Sequence, residues 1–247
     1  MTITIDGKPC VCEEGEYILD IAKRNGVAIP TLCHHDGLPG QGCCRVCIVE
    51  VETDGMRNIV AACVYPVGSE CAVFTDSEVI SRQRNMVLSM LRSAAPESDM
   101  IAALCKEYGA QEQERFDKKA GEKCILCGLC VKACESLGTG AIATVERGVA
   151  KAVSTPYGEP SIACVGCASC ASVCPTGNIA VSDDGKTREI WGKTFDIIAC
   201  GKCGRPVGTL QELWRSAIKA GAEDAPDLCD MCRKKAISDV MAAVYGK

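Results

Sequence analysis

Cysteine is the residue type in this sequence that can do chemistry, and it occurs in two copies of one spacing. The chain has 21 cysteines among 247 residues. The stretches "CILCGLCVKAC" (124–134) and "CVGCASCASVC" (164–174) both follow C-x2-C-x2-C-x3-C. Thiolates are soft ligands that suit iron–sulfur clusters or zinc. A zinc site would use only four of these eight cysteines, so the repeat favours iron–sulfur clusters.

The repeated spacing predicts two [4Fe–4S] clusters that exchange their fourth ligands. In the bacterial C-x2-C-x2-C-x3-C-P run, three thiolates hold one cluster and the fourth ligates the other. Pro175 follows the second copy. The predicted ligands of the first cluster, the first cubane site, are Cys124, Cys127, Cys130 and Cys174. Those of the second cluster, the second cubane site, are Cys164, Cys167, Cys170 and Cys134.

A third group of cysteines lies in "PTLCHHDGLPGQGCCRVCIVEV" and at the end of the apolar segment "IVAAC". A plant-type [2Fe–2S] site uses C-x4-C-x2-C with a distant fourth cysteine, and this stretch is a variant with a longer first gap. Cys43 competes with Cys44, but only Cys44 forms C-x2-C with Cys47. Cys71 competes with Cys63, which ends the apolar segment and is preferred. The predicted [2Fe–2S] ligands are Cys33, Cys44, Cys47 and Cys63.

Two further C-x2-C pairs, "CGKCG" and "CDMCR", lie in the last part of the sequence. Two such pairs supply four thiolates in a tetrahedron, which is the pattern of a closed structural zinc site. A further [4Fe–4S] cluster is the alternative because thiolates bind either metal, and zinc is favoured. The predicted ligands of this C-terminal site are Cys200, Cys203, Cys229 and Cys232.

The remaining cysteines and the histidines receive structural or supporting roles. Free cysteine behaves as a small hydrophobic residue. The cysteines predicted to be buried thiols are Cys10, Cys12, Cys43, Cys71 and Cys105. His34 and His35 are the only histidines, and four cysteines already fill the neighbouring site. One of them is therefore expected to tune that site through contacts with its ligands.

Local patterns predict a mixed α+β fold that positions these cysteines. Alternating apolar residues around the Asp-Gly pairs at 6–7 and 54–55 predict two hairpins. The segments "YILDIAKRNG" and "TLQELWRSAIKA" predict helices. Residues 77–109 are predicted to be helical with a break at Pro96. The predicted inward face of that stretch is Val79, Met86, Val87, Met90 and Leu91.

Several stretches resemble known iron–sulfur proteins. "IPTLCHH", "CRVCIVEVE" and "AACVYPV" resemble the [2Fe–2S] domain of the large peripheral iron–sulfur subunit of complex I. The same domain opens diaphorase subunits of NAD-linked hydrogenases and electron-bifurcating complexes. "LGTGAIATVERG" and "CPTGNI" resemble the two-cluster ferredoxin domains of iron-only hydrogenases and formate dehydrogenase subunits. "CGKCGRPVGT" and "LCDMCR" resemble small zinc ribbons of hydrogenase-linked ferredoxin subunits.

The resemblance implies a four-part organisation. A β-grasp [2Fe–2S] domain is expected at 1–78, a helical linker at 79–119 and a bacterial-type two-[4Fe–4S] ferredoxin domain at 120–187. A zinc-ribbon-like unit is expected at 188–247. The complex I subunit continues with a cluster that has one histidine and three cysteine ligands. Residues 93–123 hold no histidine and only Cys105, so that cluster is predicted to be absent.

Composition limits the class of function. The net charge is −5 and no basic patch is present, which argues against nucleic acid as the main partner. The apolar runs are shorter than a membrane span requires, and "MTITIDGK" lacks the features of a signal peptide. A cytoplasmic location is therefore expected. No catalytic constellation, P-loop or dinucleotide fingerprint is found; Gly138-x-Gly140 follows a cluster loop rather than a strand.

These observations predict a non-catalytic subunit that relays single electrons through its clusters. By resemblance, one partner is a flavoprotein subunit that binds NAD(P)H. The other partner is a hydrogenase, a formate dehydrogenase or ferredoxin. The expected assembly is a cytoplasmic, anaerobic hetero-oligomeric complex, and electron-bifurcating complexes belong to this class. A free-standing polyferredoxin carrier is the alternative. A redox sensor with a zinc-ribbon output is a further rival, and the acidic balance of the chain argues against it.

Overall fold

The computed structural model describes residues 1–225 and 227–245, and these residues form two compact units. Unit 1 consists of Met1–Lys132 and Val173–Asn178, and unit 2 of Ala133–Ser172 and Ile179–Lys247. The finer division into four segments stays a prediction. Among the described residues, none of the helices has the length and apolar character needed to cross a membrane.

Unit 1 contains a five-stranded mixed sheet with the order β2-β1-β5-β3-β4. Its strands are β1 (Thr2–Ile5), β2 (Lys8–Val11), β3 (Ile48–Thr53), β4 (Met56–Ala61) and β5 (Ala72–Phe74). Strands β1 and β5 are parallel, and the other pairs are antiparallel. Both predicted hairpins are confirmed. Asp6 and Asp54 have φ of 49° and 52°, and each is followed by a glycine with positive φ, as two-residue hairpin turns require.

Helix α1 (Ile18–Arg24) packs its apolar face onto this sheet. Its side chains Ile18, Leu19 and Ile21 share a core with Ile3 and Ile5 of β1. Two predicted buried thiols are confirmed in that core, Cys10 and Cys12. The sheet and α1 thus form the body that carries the loop of the N-terminal cysteine group.

Helices α2 (Glu78–Ala94) and α3 (Asp99–Tyr108) confirm the predicted helical stretch and its break near Pro96. Ser77 and Ser98 cap them, because their hydroxyls accept bonds from the amides three residues later. The predicted inward face of α2 is partly wrong. Val79 and Met90 are exposed, whereas the buried face is Ile80, Arg84, Leu88, Ser89 and Ser93.

Unit 2 is built on a four-stranded antiparallel sheet with the order β11-β10-β9-β8. These strands are β8 (Val181–Asp183), β9 (Thr187–Ile190), β10 (Lys193–Ala199) and β11 (Pro206–Thr209). A separate hairpin pairs β6 (Ala143–Val145) with β7 (Ala152–Ser154). The sheet buries Ile190 and Phe195, and it carries the turn between β9 and β10 that lies beside a group of cysteines.

The remaining α-helices of the described residues are α4 (Leu129–Ser136), α5 (Ser169–Ser172), α6 (Leu210–Ala220) and α7 (Asp230–Tyr245). Helix α6 confirms the predicted helix "TLQELWRSAIKA". It begins with a capping box between Thr209 and Glu212 and ends at Gly221, which is left-handed at φ 66°. Leu213 and Ala217 of α6 are buried in unit 2, which fixes the helix on the sheet.

Candidate metal centres

The predicted [2Fe–2S] ligands come together in unit 1. All four are buried, and they lie in the loop before β3 and just after β4. The sulfur atoms of Cys47 and Cys63 are 3.4 Å apart, close enough for both to bind one iron. The amide of Cys44 donates to the sulfur of Cys33 at 3.4 Å. A soft, buried set of four sulfurs fits the demands of a [2Fe–2S] cluster.

The hydrogen bonds of this loop lower the pKa of two of the predicted ligands and raise the pKa of the other two, Cys44 and Cys63. The pKa of Cys33 lies well below its usual range because the thiols of Cys43, Cys44 and Cys63 and the amide of Cys44 donate to its sulfur. The pKa of Cys47 is lowered to about 7, chiefly by its hydrogen bond with Cys63. Since the thiolate is the form that ligates metals, both residues are prepared for that role.

The two competing cysteines occupy different positions. Cys43 is exposed, contrary to its predicted burial, and its thiol donates to the carbonyl of Cys127 at 3.3 Å. Its sulfur also reaches Cys33, so five sulfurs gather here. Cys71 is half-buried and packs against the core of the sheet, where burial raises the pKa of its thiol. The geometry therefore separates Cys71 from the ligand set and leaves Cys43 beside it.

The histidines contact the same loop without joining the sulfurs. His34 Nε2 is 3.1 Å from Asp36 Oδ1, and its buried Nδ1 has no hydrogen-bond partner among the described residues. His35 Nδ1 accepts a hydrogen bond from the amide of Gly37 at 3.2 Å. Neither imidazole is part of the sulfur group.

Arg84 of α2 is a functional candidate that the sequence pattern missed. Its Nε donates to the carbonyl of Val46 at 3.1 Å, and its Nη2 donates to those of Ile48 and Thr75 at 2.8 and 3.0 Å. The side chain is buried, and burial lowers its pKa. Because Val46 and Ile48 flank Cys47, Arg84 fixes the backbone on both sides of that predicted ligand. The signal available in the sequence was the spacing of Arg84, which lies four residues from both Ile80 and Leu88 and therefore shares their face of the helix.

The first cubane site lies entirely within unit 1, since Cys174 belongs to the short segment Val173–Asn178. The amide of Leu126 donates to Cys124 Sγ, and that of Asn178 to Cys174 Sγ, each at 3.3 Å. Burial raises the pKa of Cys127 to about 11 and that of Cys130 to about 12. These thiols therefore need a bound metal to hold them as thiolates at neutral pH.

The surroundings of the first cubane site are apolar on one side and acidic on the other. Cys127 is buried in a core with Leu88 of α2 and Ile101 of α3. Glu122 Oε1 accepts the amide of Cys124 at 2.8 Å, and its charge contributes to raising the pKa of that thiol, although burial is the larger cause. Lys119 acts weakly in the opposite direction.

The second cubane site lies entirely within unit 2, where a single cavity is lined by all four predicted ligands. Cys134 Sγ accepts the amide of Ala141 at 3.1 Å and lies 3.0 Å from Thr139 Oγ1. The indole N–H of Trp191 donates to Cys170 Sγ at 3.5 Å. Four soft ligands around one apolar cavity fit a cubane cluster.

The cysteines of the C-terminal site form a more compact set. Their four sulfur atoms all lie within 4.8 Å of one another, and Cys203 and Cys229 are 3.6 Å apart. Four thiolates at about 2.3 Å from one zinc ion lie about 3.8 Å apart. No other sulfur set in the described chain is as tight, and in a cubane each thiolate binds a different iron. Backbone amides, chiefly that of Cys229, lower the pKa of Cys200 to about 6.

Cys105 is the remaining thiol, and it is not grouped with any predicted ligand set. It is half-buried rather than fully buried, and it packs against the core beside Leu88 with its sulfur 3.6 Å from that residue's carbonyl. Burial raises its pKa. A structural role in the contact between α2 and α3 follows.

Two domain families match the chain. Residues 1–78 match the 2Fe-2S iron-sulfur cluster binding domain, and residues 123–178 match the 4Fe-4S dicluster domain. Strand β9, strand β10 and the C-terminal cysteine set lie outside both matches. The NADPH-Fe(3+) oxidoreductase subunit alpha of Geobacter sulfurreducens is 34% identical over 82% of this chain. The NADP-reducing hydrogenase subunit HndD of Solidesulfovibrio fructosivorans is 35% identical over 72% of it.

A solved structure of an NAD+-reducing [NiFe]-hydrogenase in the H2-reduced state is also similar, with a TM-score of 0.62 and 27% identity. The match covers 72% of this chain and 85% of that one. In contrast, the chain spans only 26% of the Geobacter protein and 35% of the Solidesulfovibrio protein. The comparisons confirm the resemblance of the N-terminal segment to [2Fe–2S] domains and of the repeated motif to two-cluster ferredoxin domains. Residues 1–78 are thus similar to the 2Fe-2S iron-sulfur cluster binding domain and residues 123–178 to the 4Fe-4S dicluster domain, so both matched segments are of the iron–sulfur type.

Proposed function

We propose that this chain relays single electrons through one [2Fe–2S] and two [4Fe–4S] clusters. The contact between Cys43 and Cys127 carries the proposal, because it joins two cluster loops of unit 1. Cys43 directly precedes a predicted [2Fe–2S] ligand, and its thiol donates to the carbonyl of a ligand of the first cubane site at 3.3 Å. Cys33, Cys44 and Cys127 also share one buried core. Such proximity suits electron transfer between the two sites.

The side chains of this protein hold, bury and polarise the clusters. Iron–sulfur clusters accept and release one electron at a time at potentials set by charge, hydrogen bonds and exposure. The proposed ligands are the three sets named from the sequence. Arg84 places a buried positive charge near Cys47, and the loop amides donate to the sulfurs of both cubane sites. These groups stabilise the negative charge that reduction adds.

The names of the similar proteins suggest the terminal partners. They include an NADPH-Fe(3+) oxidoreductase, an NADP-reducing hydrogenase and an NADH-quinone oxidoreductase. We infer that a cytoplasmic flavoprotein subunit exchanges electrons with NAD(P)H and with this chain. A hydrogenase, a formate dehydrogenase or ferredoxin would lie at the other end. The chain itself would be the non-catalytic subunit between them.

Anaerobic purification followed by metal, sulfide and redox analysis tests this proposal. The protein should contain about 10 iron atoms and matching sulfide, and should accept about three electrons in a reductive titration. The isolated chain should bind no flavin and should not oxidise NADPH with artificial acceptors. Robust NADPH oxidation by the chain alone, or an iron content near four, would contradict the relay.

The [2Fe–2S] ligands can be tested with neighbouring cysteines. Cys44→Ala should abolish the [2Fe–2S] signal in electron paramagnetic resonance (EPR), whereas Cys43→Ala should retain it. Cys63→Ala and Cys71→Ala form a second matched pair with the same expected difference. If Cys43→Ala lost the cluster and Cys44→Ala retained it, Cys43 rather than Cys44 would be the ligand.

We propose that the C-terminal site holds one zinc ion. The compact sulfur set supports a mononuclear ion, and zinc bound by four thiolates adds folding energy without redox chemistry. Cys229→Ser should lower zinc from about one atom to near zero, loosen the C-terminal part and leave every EPR signal in place. A fall of about four iron atoms with one low-potential signal would instead identify a further cluster.

A further inference from the structure

The turn between β9 and β10 has an unusual residue. Ile190 pairs with Lys193, so Trp191 and Gly192 form a two-residue hairpin turn. Trp191 has φ 54° and Gly192 has φ 68°. Asn, Asp and Gly are favoured where such turns need positive φ, and a bulky side chain there is a true outlier. Strain of this kind persists only where other contacts determine the conformation, and it is common at functional sites.

The contact that accompanies this strain is made to a predicted cluster ligand. The indole N–H of Trp191 donates to Cys170 Sγ at 3.5 Å. Trp191 and Ile190 line the same cavity as the four cysteines of the second cubane site. The turn therefore presents a polar donor and a large apolar surface to that cavity at once.

Strands β9 and β10 also hold the backbone of the cluster loop. Lys193 Nζ donates to the carbonyl of Cys164 at 3.1 Å and to that of Ser161 at 3.2 Å. Arg188, which is paired with Asp183, donates to the carbonyl of Gly166 at 3.0 Å. Gly166 has φ +70°, and a Cβ there would lie 2.7 Å from the ring of Phe195 in β10. The hairpin and the loop thus fit closely.

We propose that the β9–β10 hairpin raises the reduction potential of the second cubane cluster above that of the first, with Trp191 as the main positioning residue. The inference rests on the ligand sets of the proposed function. Reduction adds negative charge to the cluster and its thiolates, so an N–H donor on Cys170 and the ammonium of Lys193 stabilise the reduced form. At the first site, the carboxylate of Glu122 accepts the amide of Cys124 at 2.8 Å and places a negative charge beside that predicted ligand, which opposes reduction.

Trp191→Phe in the full chain is the direct test, since it removes the N–H and retains an aromatic ring. In an EPR-monitored redox titration, the equilibrium constant for one-electron reduction of the second cluster should fall about fivefold. This corresponds to a negative shift of its reduction potential by about 40 mV, at 59 mV per tenfold. Trp214→Phe is the matched control because Trp214 is the chain's other tryptophan and lies exposed on α6. It should leave both potentials unchanged.

A second variant keeps the inference testable if Trp191→Phe loses iron. Lys193→Met removes the charge from the same hairpin and should shift the same cluster in the same direction. Unchanged potentials in both variants, or a shift of the first cluster, would overturn the inference. A wrong ligand assignment would be recognised separately. In that case Cys134→Ala and Cys164→Ala would abolish different clusters instead of the same one.

Discussion

The two cubane sites use the same cysteine spacing but lie in different surroundings. The first is packed against the helices α2 and α3, with Cys127 in a core that includes Leu88 and Ile101. The second lies in a cavity bordered by the β9–β10 hairpin, which supplies an indole N–H and holds the loop backbone through Lys193. The shared cysteine spacing therefore does not determine the surroundings of the two predicted clusters.

The origin of the difference lies in segments outside the duplicated motif. Helices α2 and α3 precede residue 123, and the hairpin follows residue 178, so neither belongs to the matched dicluster domain. At the first site Cys127 packs among apolar side chains and a carboxylate lies beside Cys124, whereas at the second site an indole N–H donates to Cys170. Because potential depends on both exposure and hydrogen bonding, the same ligands can form two unequal centres.

The largest expected effect is the loss of a whole cluster from one site only. Cys134→Ala should remove about four iron atoms and the same EPR signal that is missing in Cys164→Ala. The reason is that Cys134 lines the second cavity although it is the last cysteine of the first motif. Cys105→Ala, a thiol outside every predicted set, should keep all the iron. If Cys134→Ala resembled Cys124→Ala instead, the exchanged assignment would be wrong.

A cavity next to the first site should have the next largest effect. Leu88→Ala deletes a fully buried side chain beside Cys127 and should destabilise unit 1 by about 2–5 kcal/mol. A chelator should then remove iron from the first site faster, as measured by the decay of its EPR signal. Leu213→Ala, a similar deletion in unit 2, is the control. If both variants lost iron from the first site equally fast, the proposed packing of that site against α2 and α3 would be contradicted.

The smallest effect concerns the acidic side of the first site. Glu122→Gln removes a charge near Cys124 and should favour reduction of the first cluster about threefold, a positive shift of about 28 mV at 59 mV per tenfold. The gap between the two clusters would narrow. Glu114→Gln, an exposed substitution in the same polar segment, should have no effect. A negative shift in Glu122→Gln would show that its carboxylate does not oppose reduction.

Local patterns in the sequence predicted most of the elements, and they predicted the cysteine sets that the structure brings together, because the causes of both are local. The Asp-Gly turns, the helix break at Pro96 and the cysteine spacings each act within a few residues. Arg84 and Trp191 were missed because they act across the chain. Trp191 is 21 residues from Cys170, and Arg84 is 38 residues from Val46. The buried face of α2 was predicted wrongly for the same reason. The periodicity of apolar residues does not reveal a buried arginine whose side chain donates hydrogen bonds to carbonyls.

The most direct test of the proposed difference in reduction potential is an EPR-monitored redox titration of the wild type, Cys134→Ala and Cys124→Ala. We expect two [4Fe–4S] steps in the wild type. The step at higher potential should be missing from Cys134→Ala and should remain in Cys124→Ala. The opposite assignment, with the higher step missing from Cys124→Ala, would contradict the account.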